Sequence, residues 1–262
     1  MLELYHSVNS VCAQKVRIAL AEKGLAYKSH LMDLSGGQFD PAYMKLNPNA
    51  VVPTLIHDGQ VVIESSVILC YIDEAFPPPP LMPTAPPARA RVRMYNKLID
   101  EYVHNSCTIL TFATAFRPGL AKLSPEALEK AFAKSPSKKR TEFKIDVVRN
   151  GLDSKFVREA VEFHEKMLDW MEADLRRGPW LAGETFSLAD AAVIPYILRL
   201  DLLRMARVWD KRPGVAKWYE RMRGRPSFDQ EITRQMTEAD HAPFKNIEGD
   251  PWSKVSTLVK AA

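Results

Sequence analysis

The residues with the clearest chemical potential lie near the start of the chain, in the stretch SVNSVC at residues 7–12. Two hydroxyls and a thiol, on Ser7, Ser10 and Cys12, come just before a helical pattern. A thiol at a helix N-terminus gains from free backbone N–H groups and from the positive end of the helix dipole. Cys12 is therefore a candidate nucleophile, and Ser10 is a candidate donor to a thiolate that a ligand brings. The alternative is that Ser10 caps the helix, Cys12 packs in the core and Ser7 is structural.

Two further segments, NAVVPTL and ESS, carry groups that could hold a ligand. Pro53 interrupts a strand-like run, which indicates either an edge strand or turn, or a cis bond that offers the Val52 backbone to a peptide-like ligand. At the next helix start, Glu64 could take an ammonium group while Ser65 and free N–H groups bind a carboxylate. Simple capping by Ser65 or Ser66 is the alternative. The two segments together could accommodate an amino-acid-like ligand.

Composition and charge narrow the class of protein. The 262 residues are 46% hydrophobic and 26% charged, which is typical of a globular protein of one large domain or two ordinary ones. No apolar run approaches about 18 residues and no secretory signal is visible, so we expect no membrane span. The net charge of +4 is mild. The basic runs at 134–144 and 221–227 are typical of a solvated helix face or loop. They lack interleaved aromatic residues, so a small anionic ligand is favoured over nucleic acid as a binding partner.

The three cysteines, Cys12, Cys70 and Cys107, are few, odd in number and free of any CxxC spacing. This pattern argues against a disulfide framework and against a zinc site. We therefore expect no metal and a reducing, cytoplasmic location. Cys70 is predicted to be a core residue, and Cys107 either a core residue or part of a pocket wall.

The elements that must position these groups form two regions. Residues 1–77 predict the order β-α-β-(α)-β-β-α, with a hairpin at Asp58-Gly59 as the strongest local signal. Seven prolines then fall within residues 76–93, which predicts an extended, stiff linker over 78–90. Residues 91–228 follow a helical pattern, and SLAD at 187–190 predicts a capping box. The remaining tail, 229–262, is polar and shows little periodicity.

In this order and spacing, the segments resemble a cytosolic glutathione transferase. The resemblance implies an α/β thioredoxin-like N-terminal domain, an all-α C-terminal domain, glutathione as co-substrate and a homodimer. It rests on the Ser/Cys segment and the following parts of the sequence: QKVRIALAEKGL, LNPNAVVPTL, ESSVILCYIDEAFP, the proline-rich linker and WLAGETFSLADAAVIPYI.

The resemblance also implies a role for each candidate residue. Ser10 would aim its hydroxyl at the glutathione sulfur, which stabilises the thiolate and lowers its pKa. Val52 would pair its backbone with the glutathione cysteine, and Pro53 would be the cis-proline of the family. Three more side chains would bind the γ-glutamyl end and the rest of the tripeptide: Glu64, Ser65 and Gln38.

Different parts of the chain resemble different subfamilies. SVC at 10–12 resembles the bacterial reductive dehalogenases of chlorinated hydroquinones, in which a cysteine resolves a glutathione adduct by disulfide exchange. It also resembles the zeta-type maleylacetoacetate isomerases, although Val11 departs from their Ser-Ser-Cys pattern. The segments 97–116, 123–134 and 149–172 are instead similar to the bacterial β-aryl etherases of lignin breakdown.

The interpretation that follows is a glutathione transferase that acts on a small hydrophobic or aromatic electrophile, with β-aryl ether cleavage as the leading reaction. The alternatives are a reductive dehalogenase or cis–trans isomerase that uses Cys12, and a non-catalytic glutathione-binding protein on the same fold. Nearby Arg and Lys side chains could meet an acidic substrate or leaving group, but the sequence does not place them. Five side chains are spaced to lie partly on one side of the first long helices and are candidates for the wall of the substrate pocket: Tyr102, Cys107, Thr108, Phe112 and Phe116. The alternative for each of them is a packed helix interface.

Overall fold

The computed structural model describes residues 1–259, and its N-terminal region is built on a four-stranded sheet. The strand order is β2-β1-β3-β4; β1 and β2 are parallel, while β3 is antiparallel to both β1 and β4. The order of the four strands along the chain is the one that the sequence pattern predicts for the first domain. The four strands are β1 (Leu2–His6), β2 (Lys28–Leu31), β3 (Thr54–His57) and β4 (Gln60–Ile63).

The hairpin between β3 and β4 confirms the strongest local signal in the sequence. Asp58 and Gly59 form its two-residue turn, with φ values of 49° and 82°. Positive φ at both central positions matches the right-handed twist of the flanking strands, and glycine reaches that region without a steric penalty. The turn pairs His57 with Gln60 and therefore sets the register of both strands.

Helices cover the sheet and complete the predicted order. Leu4 and Leu55 of the sheet pack against Leu20 of the first helix and Ile68 of the third, and all four side chains are fully buried. This small core fixes the two helices whose N-termini carry the candidate site residues. The helices of this region are α1 (Val11–Glu22), α2 (Pro41–Leu46), which follows a 3-10 turn at Gly37–Phe39, and α3 (Ser65–Ala75).

The linker between the two domains is shorter than the predicted proline-rich linker of residues 78–90. Helix α4 (Pro86–Leu98) begins inside the expected linker of residues 78–90, with prolines in its first turn. Proline suits that position because the first backbone N–H groups of a helix have no partner within the helix. The prediction that this run excludes helix is therefore wrong for its last residues.

The linker is also held in place by the N-terminal domain. The carboxylate of Asp73 on α3 accepts hydrogen bonds from Leu81 N at 2.6 Å and Met82 N at 3.0 Å. It also pairs with Lys23 Nζ at 3.0 Å, and Lys23 donates to the carbonyl of Pro79 at 2.8 Å. These contacts fix the start of the second domain relative to the first.

The second region is helical throughout, as the sequence predicts, and helix α10 forms its centre. Most residues of α10 are buried, and the helix packs against α1, α4 and α5. A π-helical turn at Ile99–Val103 joins α4 to α5. The helices after α4 are α5 (His104–Ala113), α6 (Arg117–Leu120), α7 (Pro125–Phe132), α8 (Lys138–Asn150), α9 (Val157–Leu175), α10 (Leu188–Leu202), α11 (Pro213–Arg223), α12 (Pro226–Phe228), α13 (Glu238–Lys245) and α14 (Pro251–Val255).

The predicted capping box at the start of α10 is confirmed. Ser187 Oγ accepts from Ala189 N at 3.2 Å, and the Asp190 carboxylate accepts from Ser187 N at 2.9 Å. Asp190 also accepts from Leu181 N at 3.0 Å and from Trp218 Nε1 at 2.8 Å. This fully buried carboxylate therefore joins three segments of the helical domain.

The tail packs against the rest of the molecule. It contains α13 and α14 and includes buried side chains such as Phe244. Residues 260–262 of the predicted tail lie outside the described residues. None of the helices in the described chain is long and apolar enough to cross a membrane.

Candidate functional site

The candidate site lies where the N-terminus of α1 meets α5 and α10, between the two domains. Cys12 in the first turn of α1 places its Sγ 3.4 Å from His104 Nδ1 and 3.8 Å from the hydroxyl of Tyr196. The Tyr196 hydroxyl is in turn 3.4 Å from His104 Nδ1. The thiol, imidazole and phenol therefore form a compact triad from three separate helices.

This environment stabilises the thiolate form of Cys12. Burial raises the pKa of the thiol, but the charge and hydrogen bond of His104, the Lys15 ammonium and a hydrogen bond from Ser65 outweigh it and lower the pKa to about 6. Lys15 is fully buried and pairs with Asp100 Oδ1 at 3.5 Å. At neutral pH, Cys12 is therefore largely a thiolate, which is the nucleophilic form of cysteine.

Ser10 forms the N-cap of α1. Its Oγ accepts from the backbone N–H of Ala13 at 3.3 Å, so the capping alternative from the sequence is present in the structure. Capping uses a lone pair of the oxygen and leaves the hydroxyl proton free to be donated. Ser10 can therefore cap α1 and still serve as a donor toward a ligand thiolate. Ser7 contributes its carbonyl, which accepts from Ser10 N at 3.2 Å and from Arg17 Nη1 at 3.2 Å.

Val52 and Pro53 lie in the bend just before β3, and the peptide bond between them is cis. The carbonyl of the preceding Val51 accepts from the Tyr43 hydroxyl at 2.5 Å and from Asn47 Nδ2 at 2.9 Å. Within residues 1–259, no hydrogen bond is made by the backbone N–H or C=O of Val52. Both groups of Val52 can therefore pair with a ligand without breaking an existing bond.

Glu64 and Ser65 start helix α3 differently from the capping alternative. Glu64 occupies the N-cap position with φ 67°, and no side chain caps the helix. Its exposed carboxylate accepts from Asn49 Nδ2 at 3.1 Å. Ser65 is the first helical residue and Ser66 donates to Asp100, so neither serine caps α3. The first backbone N–H groups of α3 are thus left without a side-chain cap.

A residue other than glycine with positive φ, as at Glu64, costs about 1–3 kcal/mol, and such positions cluster at ligand sites. Gln38, in the 3-10 turn before α2, donates from Nε2 to the Leu34 carbonyl at 3.0 Å, whereas its buried Oε1 has no partner in the described chain. Gln38 therefore keeps one free acceptor. All the predicted glutathione-binding residues belong to the N-terminal domain, and Gln38, Val52 and Glu64 carry polar groups without a full set of partners in the described chain.

A stripe of partly exposed side chains runs along α5 away from Cys12. His104, Thr108 and Phe112 follow one another at spacings of four residues, while most other positions of α5 are buried. Phe116 continues the stripe; its ring lies 5.1 Å from that of Phe112 and 6.3 Å from that of Phe244 on α13. This aromatic stripe, His104–Thr108–Phe112–Phe116, is the candidate wall for an electrophile.

Two of the five predicted pocket residues do not belong to the aromatic stripe. Cys107 is 2% exposed, and burial raises the pKa of its thiol to about 11. Tyr102 stacks on Phe163 with ring centroids 4.5 Å apart and lines a separate surface groove of about 380 Å³ with Met94 and Trp170. The reason is helical geometry: Cys107 is one residue, about 100°, from Thr108, and Tyr102 is two residues, about 200°, from His104, so both side chains point away from the stripe.

The tail closes one end of the site. Asn9, next to Ser10, donates from Nδ2 to the Asp240 carbonyl on α13 at 3.0 Å. The Asn9 carbonyl accepts from Arg199 Nη2 at 2.6 Å, and the Arg199 guanidinium lies 5.1 Å from the Phe244 ring centroid. The loop before α1, helix α10 and the tail therefore meet beside the aromatic stripe.

Sequence reasoning missed His104, Tyr196 and Lys15. His104 is 92 positions from Cys12, and Tyr196 is 184 positions from it, so local spacing carries no sign of their contact. For Lys15 the sequence did carry a possible signal. A lysine in the first turns of an otherwise apolar helix is expected to be buried on folding, and a buried ammonium needs an acidic partner. Cys70, predicted to be in the core, is only partly buried.

Comparison with known proteins places this arrangement in a family. A model described as "Glutathione S-transferase, N-terminal domain" matches residues 4–80, and one described as "Glutathione S-transferase, C-terminal domain" matches residues 165–221. One model falls in each of the two structural regions, and together they match just over half of the chain. The chain belongs to the glutathione S-transferase family, for which glutathione is the co-substrate.

Several relatives, among them the following three, match nearly the whole chain. Glutathione S-transferase TCHQD of Arabidopsis thaliana is 27% identical, with 99% of this chain and 95% of the relative covered. Protein LigF of Sphingobium sp. is 28% identical, covering 90% and 95%. Tetrachloro-P-hydroquinone reductive dehalogenase of Sphingobium chlorophenolicum is 27% identical, covering 87% and 94%. The crystal structure of β-etherase LigF superimposes with a TM-score of 0.77 at 27% identity, covering 89% of this chain and 99% of that one.

Proposed function

We propose that this protein activates the thiol of glutathione for attack on a hydrophobic aromatic electrophile, and that its leading reaction is β-aryl ether cleavage. The aromatic stripe carries the proposal, because it leads directly from the thiolate site along α5 and offers ring faces to an aromatic substrate. The structural likeness to β-etherase LigF across 89% of the chain supports the choice of reaction.

Glutathione would bind along the N-terminal domain. The γ-glutamyl carboxylate would meet Ser65 and the uncapped N–H groups of α3, while Glu64 would take the ammonium group. The free backbone groups of Val52 would pair with the glutathione cysteine, and Gln38 would use its free Oε1 on the rest of the tripeptide. These contacts would place the glutathione sulfur near Ser10 at the start of α1.

The proposed displacement needs one activated sulfur and a placed carbon. Ser10 donates a hydrogen bond to the glutathione thiolate and lowers its pKa. The thiolate attacks the carbon that bears the aryl ether oxygen; a C–S bond forms, the C–O bond breaks and the electron pair leaves with the phenolate, which then takes a proton. Holding both reactants in one site supplies much of the rate increase.

The direct test is phenol release from a β-aryl ether ketone, measured by chromatography with and without glutathione. We expect phenol and a glutathione thioether in equal amounts, only when glutathione is present, and a large loss of turnover in Ser10→Ala. If the protein binds glutathione in a titration but releases no phenol, β-aryl ether cleavage is wrong for that substrate. If it does not bind glutathione at all, the non-catalytic alternative with a decayed site gains support.

A second candidate function is favoured by the contact between Cys12 and His104, which direct displacement does not need. In a reductive dehalogenation, the Cys12 thiolate would attack the sulfur of an aryl–glutathione adduct. The aryl carbon would take a proton, a Cys12–glutathione disulfide would form, and a second glutathione would release Cys12 as glutathione disulfide forms. Cis–trans isomerisation is the other reaction in which Cys12 would take part.

Replacement of Cys12 by Ser separates these reactions. With a chlorinated hydroquinone as substrate, reductive dehalogenation predicts that Cys12→Ser stops before the final product and accumulates the glutathione adduct, which mass spectrometry detects. Direct displacement predicts that the same variant keeps phenol release from an aryl ether. Full dehalogenation by Cys12→Ser excludes the resolving role of Cys12.

We also propose that the chain forms a homodimer. Val67 on α3 is 54% exposed and Met94 on α4 is 42% exposed, so each helix presents a large apolar side chain to solvent. Sedimentation velocity of the native chain and of Val67→Glu would test this: dimeric protein should dissociate in the variant. A native chain that sediments as a monomer at micromolar concentration excludes the dimer.

A further inference from the structure

Lys144 on α8 is a cation surrounded by aromatic rings. Its Nζ lies 4.5 Å from the ring centroid of Phe112 on α5 and 5.4 Å from that of Phe132 on α7. Within residues 1–259, Lys144 forms no ion pair and no hydrogen bond. The charged residue that influences it is Arg140, which is also positive, so no carboxylate of the described chain neutralises this group.

This environment disfavours the charge that Lys144 carries. Burial lowers the pKa of Lys144 to about 8, and the nearby Arg140 contributes to this lowering. A buried cation without an anionic partner or an acceptor is costly, and ring faces compensate only in part. The side chain is nevertheless partly exposed, so a small ligand can reach it. The position is therefore one at which an anionic group would be stabilised.

Lys144 lies at the far end of the aromatic stripe from Cys12. His104 contacts the Cys12 thiol, and Phe112 contacts Lys144, on the same face of α5. His104 and Phe112 are eight positions apart, which corresponds to a rise of about 12 Å along the helix. A ligand that reaches both ends must therefore be elongated, of a size that fits two linked aromatic rings.

Arg199 is a second buried cation beside the stripe, but it is not free to bind an anionic group of a ligand. Its Nη1 donates to Thr111 Oγ1 at 3.2 Å and its Nη2 to the Asn9 carbonyl at 2.6 Å. These bonds hold the loop before α1 and leave Arg199 engaged in positioning that loop. Lys144 has no such partner in the described chain, which is why we assign the binding of an anionic ligand group to Lys144.

We infer that Lys144 binds a carboxylate on the distal ring of an elongated aromatic electrophile whose other end faces the thiolate site. This inference rests on the proposed function and adds the substrate class: a two-ring aromatic acid rather than a neutral aromatic compound. The rings would lie along Thr108, Phe112 and Phe116, and the ammonium of Lys144 would form a charge-assisted hydrogen bond with the carboxylate.

Equilibrium binding of two non-reacting probes tests the inference without turnover. 4-Phenoxybenzoate and its neutral analogue 4-phenoxybenzamide have the same two rings and differ in charge. Isothermal titration should show tighter binding of the carboxylate to the native chain, in the presence of saturating S-methylglutathione, which occupies the glutathione site. In Lys144→Met, we expect carboxylate affinity to fall roughly tenfold or more while amide affinity changes much less.

Two further variants make the result specific. Lys144→Arg keeps the charge and should keep the preference for the carboxylate. Lys139→Met removes the same charge from an exposed position on the same helix and should bind both probes like the native chain. Equal binding of the two probes by the native chain, or an equal loss of both in Lys144→Met, overturns the inference. Failure of S-methylglutathione to bind is a separate result and counts against the proposed function.

Discussion

At the scale of single residues, the reactivity of the site depends on neighbours from distant parts of the chain. The thiol of Cys12 is held near a pKa of about 6 by His104 and Lys15 against the opposing effect of burial. At Cys107 the Arg199 guanidinium and a hydrogen bond with Thr111 do not outweigh burial, and the pKa of the thiol is raised to about 11. Two cysteines of one protein thus differ by several orders of magnitude in thiolate population at neutral pH.

This difference predicts the pH dependence of alkylation by iodoacetamide. The rate at Cys12 should rise with pH to a midpoint near the pKa of about 6, because only the thiolate reacts. His104→Ala removes a positive neighbour and a hydrogen bond, so the midpoint should move upward and the rate at pH 6 should fall roughly tenfold or more. Peptide mass spectrometry assigns the modified cysteine.

Buried Cys107 serves as the internal control and should remain unmodified across the same pH range. An unchanged midpoint in His104→Ala would mean that the imidazole does not stabilise the thiolate. The sequence predicted Ser10 and Cys12 because both precede a helix, a local signal. It could not predict the pairing with His104 because that contact joins two helices from different domains.

At the scale of elements, helix starts carry both stability and chemistry. The helices α1 and α3 begin near the ligand site and leave donors free, whereas α10 begins with a fully satisfied capping box. The Asp190 carboxylate accepts four hydrogen bonds there, from Leu181, Ser187 and Trp218. Burial raises its pKa, while these bonds oppose the rise.

Replacement of Asp190 by Ala leaves these donors buried without an acceptor. We expect a loss of about 3 kcal/mol or more in the free energy of unfolding, because each unsatisfied buried donor costs about 1–3 kcal/mol. Urea unfolding followed by tryptophan fluorescence measures the loss. Ser124→Ala removes the exposed cap of α7 and should cost only about 1 kcal/mol. Equal losses in both variants contradict the structural role of Asp190.

Helices and strands could be predicted from the sequence where neighbouring residues along the chain carry the signal. The hairpin at Asp58-Gly59 and the capping box at Ser187 follow from residues within four positions of each other. The start of α4 was missed because proline opposes helix in general but is accepted in the first turn, and the sequence alone does not show where that turn falls. The helices of the tail were not predicted, because they are short and are stabilised by packing, although Thr237 and Asp240 form a capping box at the start of α13.

At the scale of the whole molecule, paired charges hold the two regions together. Arg225 donates from Nε and Nη2 to the two oxygens of Glu22 on α1, both at 2.6 Å. The guanidinium also lies 4.4 Å from the Phe186 ring centroid. Nearby, Arg17 of α1 donates to the Glu231 carbonyl at 2.7 Å. The planar, two-point contact of Arg225 fixes both the orientation of the guanidinium and its distance from the Glu22 carboxylate.

Arg225→Lys keeps the charge but cannot reproduce the two-point contact or the same stacking. We expect the free energy of unfolding to fall by about 2 kcal/mol. Arg223→Lys, at an exposed position of α11, should change it by no more than about 0.5 kcal/mol. Thermal unfolding of the native chain and the two variants in parallel provides the measurement. An Arg225→Lys variant as stable as the native chain contradicts a role of the Arg225–Glu22 contact in holding the two regions together.

The contact between Asn9 and α13 has a consequence for the synthesis of the protein. The loop that leads into Ser10 is made 231 positions before Asp240, yet its side chain at Asn9 is anchored there. The Asn9 carbonyl is held by Arg199, which lies 190 positions further along the chain. A nascent chain therefore carries the nucleophile region without these supports until α10 and α13 have been made. We expect the reactive site to form only after both helices have left the ribosome, which keeps a partly made thiolate centre from acting early.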